Sequence, residues 1–139
     1  STGKDAADQQ TFTRPKSVIA TDDHEGESGR TGVKNIYLLA SRRPVSLNET
    51  AIFYQAHGAA GDDTSGTISF SLDQETWIPI GKWTQADMKA GSTRQNWHRV
   101  DFSGVEKEIR TNRILIKFQY TSGGQKLNIL RTAWSYEGK

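Results

Sequence analysis

The chain has no cysteine among its 139 residues. That absence removes disulfides, zinc–thiolate centres and thiol nucleophiles together, and it weighs against a small eukaryotic secreted module, which is often disulfide-stapled. Long hydrophobic runs are missing too. The longest apolar stretch, Ile36-Tyr37-Leu38-Leu39-Ala40, is far shorter than the roughly 20 residues a membrane-spanning helix needs. No signal-peptide core is visible and the first residue is Ser1, so the sequence reads as a processed product or a domain of a larger polypeptide. Catalytic signatures are absent as well: no Gly-x-Ser-x-Gly, no His-Glu-x-x-His, no phosphate-binding glycine loop and no dinucleotide fingerprint. There is no internal repeat and no low-complexity tract. A paired-carboxylate glycosidase depends on a separation that sequence does not reveal, but strands with so few acids make a poor host.

Charge is present but uneven. The formal net charge is +2. Residues 1–32 hold four basic and six acidic side chains, and residues 33–81 three and five. Residues 82–139 hold eleven basic and five acidic ones. A basic C-terminal part suits an anionic polymer; the plainer reading is outward positions on strands, such as Lys117 between Ile116 and Phe118. No arginine cluster or basic helix appears, so nucleic acid is not the expected partner.

Periodicity decides the class of fold. In Thr67 to Leu72, Ile68, Phe70 and Leu72 alternate with Thr67, Ser69 and Ser71, the period of a half-buried strand. Asp73-Gln74-Glu75 interrupts with turn chemistry, and Trp77-Ile78-Pro79-Ile80 resumes, which predicts a β-hairpin. Further strands are predicted at Val18–Ala20, Val33–Ala40, Thr50–His57, Trp97–Phe102, Arg113–Tyr120 and Lys126–Trp134. Turn signals separate them at Arg43-Pro44, Gly58 to Gly66, and Ser122-Gly123-Gly124. Only Thr84-Gln85-Ala86-Asp87, a capping-box pattern ahead of Met88, Lys89, Ala90 and a stop at Gly91, predicts a helix, one or two turns long. Residues 1–16 are polar and predict an arm or late-docking strand; residues 17–139 predict a single all-β domain, a two-sheet antiparallel sandwich or a barrel. Leu115 and Leu130 break the alternation of the last two strands and predict a second apolar surface, covered or exposed.

Two stretches resemble a known group. Ser71-Leu72-Asp73-x-x-x-Trp77 is similar to the Ser-x-Asp-Gly-x-x-Trp hairpin of galactose-binding-like (discoidin-type) jelly rolls, a group that includes many carbohydrate-binding modules of bacterial glycoside hydrolases. Trp97-His98-Arg99-Val100-Asp101-Phe102 and Arg113-Ile114-Leu115-Ile116-Lys117-Phe118 look like that group's later strands, which end in a closing hairpin. The resemblance covers about residues 66–134 and departs from the pattern at Gln74, where Gly is usual. It implies an all-β, two-sheet antiparallel jelly-roll sandwich with one short helical insertion. It also implies a secreted or cell-surface location and a larger parent polypeptide.

Candidate site residues follow from sugar chemistry. An exposed indole stacks on the C–H face of a sugar while neighbouring polar side chains take the hydroxyls. Trp83, beside the predicted helix, and Trp97, after the polar loop Gly91–Asn96, are the expected platforms, with Arg94, Asn96, Arg99 and Tyr54 as polar neighbours. Trp77 and Trp134 are expected in the core. Arg94, Arg99 and Arg131 would favour acidic or sulfated glycans. Asp22, Asp23, Glu25 and Glu27 cluster hard oxygen ligands that suit Ca²⁺, and jelly rolls of this kind often hold a structural calcium; otherwise this is a solvated acidic loop. His24, His57 and His98 are too scattered to form a metal site. The sequence therefore predicts a non-catalytic carbohydrate-binding module, an accessory domain of a secreted polysaccharide-degrading enzyme. The alternatives are a structural or interaction domain of a phage or viral particle or adhesin, and, last, a small glycan-active enzyme.

Overall fold

The computed structural model describes residues 17–22, 34–58, 65–84, 97–122 and 127–136. Among them eight strands form in chain order: β1 (Val18–Asp22), β2 (Lys34–Ser46), β3 (Thr50–Gly58), β4 (Ser65–Ser71), β5 (Ile78–Thr84), β6 (His98–Asp101), β7 (Arg110–Ser122) and β8 (Leu127–Tyr136). They make two four-stranded antiparallel sheets, ordered β1-β8-β3-β6 and β2-β7-β4-β5. This is the strand order of an eight-stranded jelly roll, in which the chain crosses repeatedly between two sheets. The all-β sandwich expectation holds. The predicted helix at residues 85–90 lies outside the described residues, and Thr84, its expected cap, ends β5.

The core lies between the sheets and is built from alternate residues of nearly every strand. Tyr37 and Leu39, Ile52 and Tyr54, Ile68 and Phe70, Ile114, Ile116, Phe118 and Tyr120, and Trp134 are all buried there. Phe118 is the hub. Its ring meets the edge of Tyr37 at 6.0 Å between centroids and of Tyr54 at 5.0 Å. Such T-shaped pairs add about 0.5–1.5 kcal/mol each beyond the apolar area they bury. Chain order brings the first and last strands together. The carbonyl of Ser17 accepts hydrogen bonds from the Tyr136 N–H (3.0 Å) and the Ser135 hydroxyl (2.8 Å).

Two turn expectations need correction. The Arg43-Pro44 signal does not end a strand. β2 runs through it with a shift of register against β7 between Ala40 and Val45. Proline removes a ladder donor, which a sheet tolerates at edges and bulges, and β2 is an edge strand. Pro79 sits on the opposite edge strand, β5, beside another register shift. The expected closing hairpin is not one either, since β7 and β8 belong to different sheets. Leu115 and Leu130 therefore do not share a sheet face. Among the described strands only β4 and β5 are consecutive neighbours in one sheet, and there the sequence expectation holds.

Candidate functional site: the outer face of the second sheet

The β4–β5 turn is held by two side chains. The Ser71 hydroxyl donates to Asp73 Oδ1 (3.0 Å) and accepts the N–H groups of Asp73 (3.2 Å) and Gln74 (2.9 Å). Asp73 Oδ1 accepts the N–H groups of Glu75 and Thr76, both at 2.8 Å. Those backbone donors, Thr76 first and Glu75 next, with the Ser71 hydroxyl, hold the Asp73 carboxyl below the usual aspartate range. Gln74 adopts φ = 71°, the left-handed conformation in which glycine is free of the Cβ penalty. The departure from the family pattern at this position is thus a non-glycine residue in a glycine-favouring conformation.

Past the turn, Trp77 leads into β5 and is not in the core. It is half-buried on the outside of the sheet, and the Lys117 ammonium stands 4.3 Å from the centroid of its ring. That corrects the expectation of a buried Trp77. Next to it Ile78 turns inward and packs against the core, whereas Trp134 lies between the sheets with no exposed surface.

Register assembles the rest of this face. One row across the sheet is Leu38, Leu115 and Ser71; the next is Ile36, Lys117, Ser69 and Pro79; the third is Lys34, Gln119, Thr67 and Lys82. Ile36 is 47% and Leu38 43% exposed, large values for apolar side chains on a sheet. Leu72, 48% exposed, stands in the adjoining turn. A shallow depression of about 180 Å³ lies at the turn end, lined by Ser71, Leu72, Asp73, Gln74, Arg113, Ile114 and Leu115. It is smaller than pockets that enclose a drug-sized ligand, about 300–1,000 Å³, so a ligand here rests on a surface.

The electrostatics of the face are one-sided. The four strands carry Lys34, Arg42, Arg43, Lys82, Arg110, Arg113 and Lys117, and not one aspartate or glutamate. Burial, then the neighbouring Lys34 ammonium, pull Lys117 below the ordinary lysine range. Chemically, the face offers an apolar floor, an indole carrying a cation, flanking hydroxyl and amide groups, and positive charge.

The residues expected from sequence fare differently. Trp97 is 7% exposed and packs with Ala51, Phe53 and Ala133; Tyr54 is 4% exposed, stacked on His98 at 5.3 Å. Neither ring presents a face to solvent, so the stacking role assigned to Trp97 and the contact role of Tyr54 are corrected. The cause is that residues 51 and 53 of β3 are buried on the side away from the main core, giving the first sheet apolar packing on both faces. Arg99 is exposed on the edge strand β6, in an ion pair with Asp101 at 3.0 Å. Trp83 stands opposite Gly66 near the end of β5. Arg94, Asn96, Asp23, Glu25 and Glu27 lie outside the described residues. Asp22 ends β1 opposite Thr132, close enough that its charge, after burial, helps raise the Tyr37 phenol well above its ordinary value. Among the described residues no three His, Asp or Glu side chains group as metal ligands.

What sequence reasoning missed is the pairing of Trp77 with Lys117 over an apolar floor. A signal existed: in Ile36-Tyr37-Leu38-Leu39 both parities are large and apolar, which marks a strand with two apolar faces.

No family model matches the chain, and no curated protein matches it. Solved structures do. The xylan-binding module CBM15 superposes with a TM-score of 0.50 at 11% identity, over 93% of this chain and 96% of that one. CBM35 from Cellvibrio japonicus Abf62 gives 0.47 at 11% identity, over 93% and 89%. The CBM32 of AlyQ, in complex with 4,5-unsaturated mannuronic acid, gives 0.46 at 12% identity, over 86% and 97%. At 11% identity the likeness to the xylan-binding module shows the fold alone, a β-sandwich of the same architecture.

Proposed function

We propose that the chain is a non-catalytic carbohydrate-binding module that takes glycan on the outer face of the β2-β7-β4-β5 sheet. It would serve as an accessory domain of a larger secreted or cell-surface protein acting on polysaccharide. The observation that carries the reading is the composition of that face. Exposed Ile36 and Leu38, half-buried Leu115 and the Trp77–Lys117 pair lie beside Thr67 and Gln119. A sugar ring has an apolar C–H face edged by hydroxyls, so it needs this mixture: apolar surface beneath and donors or acceptors at the margin. Among the described residues the face offers a shallow depression of about 180 Å³, a surface that suits a polymer better than a small metabolite.

Affinity electrophoresis through neutral and acidic polysaccharides, with and without a calcium chelator, tests the reading. At least one polymer should retard the protein. Replacing Ile36 and Leu38 together by Asn should lower that affinity at least tenfold without unfolding, because both side chains are already half-exposed. Retention equal to the parent would move the site elsewhere; no retardation in any polymer would remove the function. The chelator arm tests the calcium assigned to Asp22, Asp23, Glu25 and Glu27.

The same exposed apolar side chains favour a second reading, an interaction domain whose face is covered by another copy of the chain. Sedimentation distinguishes the two: a stable oligomer that does not retard in polysaccharide supports interaction, whereas a retarded monomer supports the module.

A further inference from the structure

The charge on the outer face is more specific than a generic glycan requires, and it names a class of ligand. None of the four strands of the sheet contains an acidic residue. Lys34 and Lys82 stand at the two ends of one cross-strand row, Lys34–Gln119–Thr67–Lys82. Three strand spacings separate them, about 14 Å. Lys117 stands between them, one row over, on the strand next to Lys34. Lys117 also has its ammonium over the Trp77 ring, so it is a charge held in place by an aromatic face, an arrangement that costs an anion less ordering than a free lysine would.

Resting on the module reading above, we infer that this face binds a linear polysaccharide containing uronic acid residues. The chain would lie across the strands, its carboxylates meeting Lys34, Lys117 and Lys82 in turn. The apolar floor decides between a carboxylate and a sulfate ester as the anion. A uronate carries its charge on the ring's own carbon edge and leaves a C–H face clear to lie on Ile36, Leu38 and Leu115. A sulfate ester sets its charge one bond further from the ring and takes up a hydroxyl that would otherwise bond Thr67 or Gln119. The turn at the margin brings Asp73 and Glu75, but both lie beyond the ends of β4 and β5, outside the cross-strand rows that hold Lys34, Lys117 and Lys82. Positive charge therefore dominates where the polymer would run. Like charges on Lys34 and Lys117 repel in the free protein, and a bound carboxylate relieves this.

The test is calorimetric titration of the whole chain with three polymers: a polyuronate, the same polymer after methyl esterification of its carboxyls, and a neutral glycan bearing sulfate esters. The polyuronate should bind, with affinity falling as salt rises. Esterification should weaken it at least tenfold. Lys34→Gln and Lys117→Met should each weaken polyuronate binding about three- to tenfold and flatten its salt dependence, while Lys117→Arg retains most of the affinity. Thermal melts establish that each variant is folded, and the exposed Lys34 gives a readout independent of the Trp77 contact. Equal binding of the esterified polymer would overturn the anionic assignment and leave the glycan module standing. Tighter binding of the sulfated glycan would overturn the choice of carboxylate. Failure to bind any of the three, together with failure across the wider panel above, would overturn the module reading itself.

Discussion

At Gly81 the two sheets approach closely along one edge, and replacing it by Ala has a calculable consequence. Gly81 lies on β5, an edge strand of the second sheet; Val100 lies on β6, an edge strand of the first. A Cβ built on Gly81 would sit 2.7 Å from Val100 Cγ2, 3.7 Å from Val100 Cβ and 4.0 Å from Ile68 Cδ1. Carbon pairs prefer about 3.5–4.0 Å, so the methyl arrives nearly 1 Å too close. Val100 is β-branched and stiff at χ1, so the strain passes to the backbone of an edge strand. Overpacking of this kind costs about 1–3 kcal/mol. Ala at a conformation it tolerates recovers about 0.4–1 kcal/mol from the unfolded chain. Gly81→Ala should therefore destabilise by up to about 2.6 kcal/mol, or up to about 9 °C in Tm for a chain of 139 residues. Urea denaturation is the assay, with an unchanged m-value as the check that the transition is the same. The second arm is Val100→Ala, which removes the clashing methyl. The double variant should be more stable than the sum of the singles by at least about 1 kcal/mol. A double variant whose effect is simply the sum of the two singles would refute the close approach of β5 and β6.

Three further predictions rest on individual atoms. Thr132 is fully buried and its hydroxyl finds no partner among the described residues, so Thr132→Val should be neutral or stabilising by about 1–2 kcal/mol; a clear loss in chemical denaturation would mean the hydroxyl is satisfied, for instance by water. Gln74 holds φ = 71°, where an L-residue is penalised by about 1–2 kcal/mol; Gln74→Gly should therefore raise stability, by up to about 1 kcal/mol after glycine's own entropic cost. The idea is wrong if the variant melts lower. Asp73 has a carboxyl shifted down by backbone N–H groups and Ser71. A folded-state value below the unfolded one means its contribution is complete above about pH 4 and disappears as pH falls through the folded value. Stability measured against pH should therefore show a shallower acid limb in Asp73→Asn than in the parent, and identical limbs would argue that the turn does not depend on the charge.

The sequence resemblance and the structure meet most closely at the turn that Asp73 and Ser71 organise. Alternation in Ile68, Phe70, Ile114, Ile116 and Phe118 was legible because a strand's period of two is a local property. The Asp and Ser side chains bond to backbone within three residues, so the turn was legible too. The same locality explains the failures. Pro44 reads as a stop from its neighbours alone, and only the position of β2 at a sheet edge makes it tolerable. Trp97 follows a polar loop and looks exposed, but β3 presents Ala51 and Phe53 on its second face and the indole packs against them.

Fold class, strand positions and the absence of cysteine chemistry were therefore determined by the sequence itself, since each depends on residue identity or on spacing within one strand. Which outward residues share one side of the sandwich was decided only by tertiary structure. Lys34, Thr67, Trp77, Lys82 and Lys117 come from four separate segments. Cross-strand register, a relation between residues far apart in the chain, brings them onto one face. Individually they look like ordinary outward residues; aligned across β2, β7, β4 and β5 they make a basic, apolar-floored surface.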